Sequence, residues 1–292
     1  MTRWTRRDFI AGSAAAVAGA AALRGMTPAQ TSEVVPIRVR SGTDVVRLGS
    51  TGIETSVLGI GSGTRGGREQ RELGPEGVVR LVREAFDLGV RYIDTADNYK
   101  IHTLLAPAIK ELPRDKLFLQ TKTPAKNAEK ARDDIERYRR ELGVETLDTV
   151  LMHCMRTKGW PQDMRPVRDV LLDAKRKGQV RAVGVSCHGW DPLVDSVDCP
   201  DLDCHLVRIN HAGKVMDAEP EKVAEQMKKM FQKGRGIIGM KIYGEGAFKT
   251  REERLASLKF VLGLGCVHCF TIGFSSAQQI KETLDLIKEA TA

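Results

Sequence analysis

Four polar side chains have the types that a proton-transfer site needs, and each stands at or just after the end of a short apolar run. They are Asp94, Tyr99, Lys122 and His153. A phenol has an ordinary pKa of ~10, so by itself it is a poor acid near neutral pH. A lysine ammonium beside it lowers that pKa, and a carboxylate holds the lysine in place. The set therefore predicts a general acid, Tyr99, that protonates a carbonyl oxygen as hydride reaches the carbon, with His153 donating to the same oxygen.

Each of the four residues also has an ordinary structural alternative when it is taken alone. A tyrosine in a loop commonly packs on the surface, and a lysine at the end of a strand is commonly solvated. Asp94 could cap the following turn, and His153 could be a hydrogen-bonded histidine of the core. The chemical interpretation therefore requires a fold that brings the four side chains together.

Eight short runs have the composition of buried strands. They are residues 57–61, 91–94, 117–122, 149–152, 180–186, 206–210, 236–241 and 269–273. Between them lie segments with apolar residues at helical spacing, the clearest being 75–88, 165–176, 220–232, 251–262 and 277–289. Glycine follows several predicted helices, as is common at helix C-termini.

Alternation of strand and helix eight times predicts parallel strands joined by right-handed crossovers. Eight such units favour an α/β fold of the (β/α)8 TIM-barrel type, and short alternating runs at 45–59 predict a β-hairpin before it. A doubly wound open sheet is the alternative. Against it, a polar stretch separates the glycine cluster at 59–63 from the next helix, unlike a dinucleotide-binding G-x-G-x-x-G. In a barrel, Asp94, Lys122 and His153 would meet at the C-terminal ends of neighbouring strands, where barrel active sites lie.

These motifs resemble the tetrad of the aldo/keto reductase family. Asp94-Thr95-Ala96 with Tyr99, Lys122 after Gln-Thr and His153 after Leu-Met carry the resemblance, which extends from about residue 47 to residue 289. It implies a reductase that transfers hydride from a nicotinamide cofactor to a small aldehyde or ketone. Tyr99 would be the general acid, Lys122 and Asp94 would tune it, and His153 would orient the carbonyl.

The resemblance also implies that the dinucleotide lies over the loops after the seventh and eighth strands. Backbone amides there suit a pyrophosphate, and the segment 243–248 is expected to form an ordered flap. The expected cofactor-binding residues are Ser186, Cys187, Arg208, Lys241, Gly244, Gly246, Gly273, Ser275, Ser276 and Gln279. We expect NADP, to which the family leans. NAD is the alternative, because Gly273 and Gln279 stand where some members have the Lys and Arg that bind the 2′-phosphate, and neither residue provides a cation.

The sequence departs from the family pattern at three places. Members usually follow the catalytic tyrosine with Gly and soon after Glu, whereas the segment 100–102 reads Lys-Ile-His. Cys187 stands where many members have an Asn, and Arg208 stands about where a Gln is usual. These departures affect the expected cofactor contacts more than the tetrad.

Residues 1–30 have the pattern of a twin-arginine signal peptide. Arg6 and Arg7 precede Phe9, and a short apolar run follows at 11–23. That run is short of the ~20 residues that span a bilayer, so we expect no stable membrane insertion after cleavage. A linker at 31–44 and the barrel at 45–292 would follow. The expected partner is the twin-arginine export machinery and the expected location is the periplasm or otherwise outside the cytoplasm; an uncleaved amphipathic N-terminus is the alternative.

The rest of the composition narrows the function further. The net charge of +8 comes from mixed acidic and basic residues, and the aromatic content of 5% is low, which argues against a nucleic-acid partner. The six cysteines are expected to be free and buried, with Cys199 and Cys204 the best candidates for a disulfide. We assign Cys266-Val267-His268-Cys269 to a strand, where residues three apart face opposite sides, and expect no metal site.

Two other functions compete with the reductase. One is a nucleotide-binding barrel that acts as a sensory or accessory subunit with little turnover. The other is a metal-dependent hydrolase, which needs clusters of His and Asp at the strand ends, where only His153 and Asp94 qualify. The complete tetrad favours the reductase.

Overall fold

The computed structural model describes residues 35–292. Eight parallel strands close into one barrel, in which β10 pairs with β3, and this confirms the predicted (β/α)8 fold. The strands are β1 Val45–Arg47, β2 Glu54–Ser56, β3 Leu58–Gly61, β4 Tyr92–Asp94, β5 Phe118–Thr123, β6 Leu147–Met155, β7 Val180–Cys187, β8 Cys204–Arg208, β9 Gly236–Met240 and β10 Cys269–Gly273. The helices are α1 Arg68–Asp87, α2 His102–Glu111, α3 Ala128–Leu142, α4 Trp160–Asp163, α5 Arg165–Arg176, α6 Trp190–Asp198, α7 Pro220–Gln232, α8 Arg251–Gly263 and α9 Ala277–Thr291.

The predicted hairpin is present as the antiparallel pair β1–β2, outside the barrel. Its connecting loop carries Leu48 and Ile53, which are almost fully buried and pack with the apolar residues inside the barrel. The backbone amide of Ser50 also donates to the Gly234 carbonyl at the end of α7. The hairpin therefore closes the end of the barrel where the strands begin, and leaves the opposite end for a site.

A second and larger apolar core lies between the strands and the helices. In α5, the predicted stripe of Val167, Val170, Leu171 and Ala174 is buried. Burial at helical spacing is what places each helix on the sheet, and it fixes the loops that leave the C-terminal strand ends.

The structure differs from the sequence-based assignment in four places. Helix α1 begins at Arg68 and has a break at Gly74 (φ 69°), so the helix predicted from residue 75 is its second half. Helices α2, α3, α4 and α6 were not among the assigned segments. Strand β6 is longer at both ends than the predicted 149–152. The assignment of residues 266–268 to a strand is wrong, because β10 begins at Cys269.

The segment at 37–44, within the expected linker, is hydrogen-bonded to the barrel. The Ile37 amide donates to the Gly265 carbonyl, and the Leu58 amide donates to the Gly42 carbonyl. All six cysteines are free thiols, including Cys199 and Cys204, and five of the six are buried. Within residues 35–292, no helix is long and apolar enough to cross a membrane, and no group of three or more His, Cys, Asp or Glu side chains is placed to hold a metal ion.

Candidate active site

The barrel brings the four predicted chemical residues together at the C-terminal ends of β4, β5 and β6. Lys122 Nζ lies 2.5 Å from Asp94 Oδ1 and donates to the Thr95 carbonyl at 2.8 Å. The same ammonium lies 5.1 Å from the centroid of the Tyr99 ring. The His153 ring meets the Tyr99 ring edge-on, with centroids 5.9 Å apart. One phenol therefore has an ammonium and an imidazole as immediate neighbours.

Burial and pairing set the charge states of these groups. Burial lowers the pKa of Lys122, but the Asp94 carboxylate and Tyr99 together outweigh it, so the pKa lies above its usual value and the lysine stays charged. Burial raises the pKa of Tyr99, and the Lys122 charge lowers it only in part. Burial, followed by the Lys122 charge, lowers the pKa of His153 to about 3. At neutral pH the site therefore holds a protonated phenol, an ammonium and a neutral imidazole.

A buried glutamine that the sequence analysis did not single out completes the support of the lysine. Gln120 Nε2 donates to Asp94 Oδ1 at 2.7 Å and to the Tyr92 hydroxyl at 2.8 Å. The Thr149 hydroxyl in turn donates to Gln120 Oε1 at 3.1 Å. Asp94 is thus held by two donors. The only sequence signal for Gln120 was its position two residues before Lys122, on the same face of the strand.

The turn that carries Tyr99 is fixed by charge and by close packing. Arg137 on α3 donates to Asp97 Oδ1 at 2.9 Å and to the fully buried Asp134 at 2.8 Å. On its other side, Tyr99 touches Gly63, where an added Cβ would lie 2.7 Å from the phenol oxygen. The tyrosine hydroxyl therefore has little freedom to move.

His153 owes its direction to an irregularity in β6. The pairing of β6 with β7 shifts register between Met152 and Met155, and Cys154 has φ +63°, which is uncommon for a residue other than glycine. The Cys154 amide donates to Ser186 Oγ at 2.8 Å. Ser186, expected at the cofactor, thus uses its hydroxyl to hold this bulge.

A cleft of about 300 Å³ runs from Tyr99 and Asp94 to the first turns of α8 and α9. The loops after β3, β9 and β10 form its walls. Four of the ten predicted cofactor residues line it, namely Lys241, Gly246, Gly273 and Gln279. The wall also includes the buried Thr271 hydroxyl, which has no hydrogen-bond partner among the described residues. The cleft therefore adjoins Tyr99 and has a polar atom without a partner in its wall.

The other predicted cofactor residues lie outside the walls of this cleft. The buried Cys187 thiol donates to the Pro192 carbonyl at 3.3 Å, and Arg208 forms an ion pair with the buried Asp217. Gly244 is buried beside Lys214. Ser275 and Ser276 lie at the start of α9, where both bond to Gln279. Contact of any of the ten with a dinucleotide stays a prediction.

Three acidic residues of the cleft were not found from the sequence. Glu69 on α1, Glu245 after β9 and Glu282 on α9 all line it. Glu245 pairs with Lys241 at 2.9 Å. No local signal distinguishes Glu69 or Glu282 from other glutamates on helix surfaces, so only the fold reveals them.

Comparison with known proteins agrees with the fold. A sequence model of the aldo/keto reductase family matches residues 57–289. An aldo-keto reductase of Bacillus subtilis is 29% identical over 156 residues, which cover 48% of this chain and 45% of that protein. The NADH-specific methylglyoxal reductase of Escherichia coli is 23% identical over 199 residues, covering 60% of this chain and 61% of that protein. The matches thus span about half to two thirds of these relatives.

The fold is shared with solved structures as well. The aldo-keto reductase of Bacillus halodurans superimposes with a TM-score of 0.68 at 15% identity, covering 85% of this chain and 95% of that one. The family consists of oxidoreductases that use nicotinamide cofactors. Because the family match spans most of the chain and the barrel agrees with it, this chain belongs to the aldo/keto reductase family.

Proposed function

We propose that the protein reduces an aldehyde or ketone, with Tyr99 as the general acid. The observation that carries the proposal is the ion pair of Lys122 with Asp94, which lies almost fully buried beneath the Tyr99 ring at the end of the cleft. A buried ammonium without a role would cost stability, because taking charges out of water is expensive even when they are paired. Placed beside a phenol, it stabilises the phenolate that forms as the proton leaves.

The residues divide the chemistry as follows. A nicotinamide dinucleotide, when bound in the cleft, would supply the hydride for the carbonyl carbon, and the π electrons of the carbonyl would pass to its oxygen. Tyr99 gives its proton to the carbonyl oxygen, and the resulting phenolate is held by Lys122 until solvent returns the proton. Neutral His153 has one ring N–H and orients the carbonyl. Asp94, held by Gln120, keeps the ammonium in place.

The residues present fit a dinucleotide along the cleft. Gly61 and Gly63 line the catalytic end of the cleft, and the Thr271 hydroxyl in its wall is a buried polar atom without a partner among the described residues. The N-terminus of α9, a helix of 15 residues, points its free amides to the same region and favours an anion. These features support binding of the pyrophosphate near α9.

For the dinucleotide we propose NADP, with Arg254 contacting the 2′-phosphate. Arg254 lines the cleft, lies over the Tyr243 ring at 5.5 Å, and pairs with no carboxylate among residues 35–292. NAD is the second candidate, because Glu69 and Glu282 line the same cleft and a carboxylate suits a ribose 2′-hydroxyl. The Escherichia coli relative is NADH-specific by name. Comparing the Kd of the two nucleotides decides between them, and Arg254→Gln should weaken only NADP.

The test of the mechanism is Tyr99→Phe. Loss of the proton donor should lower kcat by about 10²–10⁴-fold and leave dinucleotide binding nearly unchanged. Tyr138→Phe is the matched control, because its hydroxyl is buried on α3, has no hydrogen-bond partner among the described residues and lies outside the cleft. Near-normal turnover by Tyr99→Phe would contradict the role of Tyr99. Binding of the dinucleotide with no oxidation by any aldehyde, ketone or quinone would instead favour the accessory subunit.

We also propose that the protein is exported by the twin-arginine route. The segment that supports this, with Arg6 and Arg7, lies outside the described residues, so the support is the sequence pattern alone. Replacing both arginines by lysine should leave folded protein in the cytoplasm. Full export of that variant would show that the leader is of another type.

Export raises the question of how a dinucleotide reaches the protein, and we propose that it travels in the folded barrel. The segment 243–248 lies along the cleft as a flap, with Phe248 buried and Glu245 tied to Lys241. Such a flap slows release. Purified exported protein should therefore yield NADP or NAD on denaturation. An empty site that binds neither at sub-millimolar concentration would contradict both the cofactor and the mechanism.

A further inference from the structure

Two loops on the other side of the catalytic residues from the cleft carry cations that no acid neutralises. Lys126 follows β5 and Arg156 follows β6, and both are exposed. Neither lies within 4.0 Å of a carboxylate in the part of the chain that the structure describes. Neither lines the cleft assigned to the dinucleotide.

Two buried acidic groups of this region are paired with cations, and Asp195 on α6 accepts from the Gly159 amide at 2.6 Å. Asp94 is held by Lys122. The side chain of Asp217, with 0% exposure, is held by Arg208. The charges of Lys122, Arg156 and Lys126 make the potential beside His153 positive, and a positive potential attracts anions.

Arg156 lies next to the proton-transfer groups through one intervening side chain. Its Nε donates to Cys154 Sγ at 3.2 Å, and Cys154 directly follows His153 on the bulge of β6. The Cys154 thiol is also close enough to Tyr99 to affect the pKa of the phenol. Likewise, the charges of Arg156 and Lys126 contribute to the low pKa of His153.

The guanidinium has two nitrogens to spare. Nε is used by Cys154, whereas Nη1 and Nη2 donate to no residue within 35–292. A planar guanidinium with two free Nη groups matches the two oxygens of a carboxylate. An exposed arginine held at one end by a thiol beside the acid is a site for the far end of a substrate.

We propose that the carbonyl substrate is an anionic oxo acid, whose carboxylate binds Arg156 while its carbonyl oxygen meets Tyr99 and His153. Lys126 adds to the positive potential of the same face. The inference rests on the proposed function, since it names the substrate class of the same site. A neutral aldehyde would make no use of either cation.

The test compares acids with their methyl esters, which differ in charge and keep the carbonyl. Phenylglyoxylate and methyl phenylglyoxylate have the charged group next to the carbonyl, and 4-formylbenzoate and its methyl ester have it across a ring. The wild-type protein should prefer the acid of at least one pair by about tenfold or more in kcat/KM, the size expected for one charge-assisted hydrogen-bonded pair.

The variant Arg156→Gln should remove that preference. The kcat/KM of the preferred acid should fall about tenfold, mainly through KM, while that of its ester changes by less than about twofold. Arg176→Gln is the matched control, because it removes an exposed arginine from the last turn of α5, at the opposite end of the barrel. It should leave both members of each pair unchanged.

A binding measurement separates this inference from the proposed function. Mandelate and its neutral amide are titrated into protein saturated with the oxidised dinucleotide, with Arg156→Gln alongside. If esters are reduced as well as acids, or Arg156→Gln affects acid and ester equally, the reductase stands and the anion site is wrong. If nothing is reduced but mandelate binds more tightly than the amide through Arg156, the anion site stands and the reductase is wrong. If neither is observed, both are wrong.

Discussion

Adding one methyl group at Gly63 should impair proton transfer without harming the fold. Gly63 has φ −93° and ψ 2°, a conformation that alanine adopts. A Cβ at this position would lie 2.6 Å from Tyr99 Cζ and 2.7 Å from the phenol oxygen. Ordinary carbon contacts are about 3.5–4.0 Å, so the ring or the loop must move by about 1 Å.

The expected loss of kcat follows from how strongly the rate depends on the position of the Tyr99 hydroxyl. A misplacement of about 1 Å can lower a rate by about 10²-fold, which corresponds to about 2.7 kcal/mol in the barrier. We therefore expect Gly63→Ala to lower kcat by up to about 100-fold. Because Gly63 also lines the cleft, the dinucleotide Kd must be measured separately by fluorescence, and the free energy of unfolding by urea denaturation.

Two comparisons make this prediction specific to Tyr99. Gly263→Ala should have no effect on kcat, because nothing lies within 4 Å of an added Cβ there. In a Tyr99→Phe background, Gly63→Ala should lower kcat little further, since the hydroxyl that it displaces is already absent. Normal kcat in Gly63→Ala, or an equal loss in both backgrounds, would refute the reasoning.

Three further predictions follow from the same site. Lys122→Met leaves Asp94 buried without its cation, so the free energy of unfolding in urea should fall by about 3–5 kcal/mol. Adding Asp94→Asn should restore part of that loss, whereas an unchanged free energy of unfolding in Lys122→Met would contradict the prediction. The rate of reduction should not change between about pH 5 and 9, because the pKa of His153 is about 3. The rate should fall only as the pH rises through the Tyr99 pKa, which burial keeps above its ordinary ~10. An inflection near neutral pH would contradict this prediction. Among the six thiols only Cys154 is not buried, so one thiol should react rapidly with a disulfide reagent in the native protein, and Cys154→Ser should remove that phase.

The barrel could be predicted because its signals are local. Each strand is a short apolar run, and each assigned helix has an apolar stripe, so α5 and α7 have the predicted bounds. Helix α2 was not predicted, because Pro107 lies inside it and proline weakens a helical pattern. Helix α3 was not predicted, because its buried face includes Asp134. In the sequence an aspartate indicates a surface position, and only the structure shows that Arg137 pairs with it.

The grouping of Asp94, Tyr99, Lys122 and His153 could be predicted from the sequence, but the direction of the Tyr99 pKa shift could not. The sequence analysis expected the Lys122 ammonium to lower the Tyr99 pKa. The structure adds the burial of the phenol, which outweighs that effect and keeps the pKa above its ordinary value. Residue types show which charges are near, whereas the balance between charge and burial depends on the packed barrel.

The surroundings of His153 show why the directions of the site side chains could not be predicted from the sequence. Nothing in the residues of β6 indicates a bulge, because Cys154 would fit a regular strand. Its positive φ costs about 1–3 kcal/mol, and the hydrogen bond of its amide to Ser186 on the neighbouring strand offsets part of that cost. The direction of His153 is therefore decided by a residue 33 positions further along the chain. Among residues 35–292, six of the seven non-glycine residues with positive φ lie in segments at or beyond the C-terminal strand ends, Asp201 being the exception. The strain is therefore concentrated at the end of the barrel where the site side chains lie, and Asp201, just before β8, is the exception toward the hairpin-closed end.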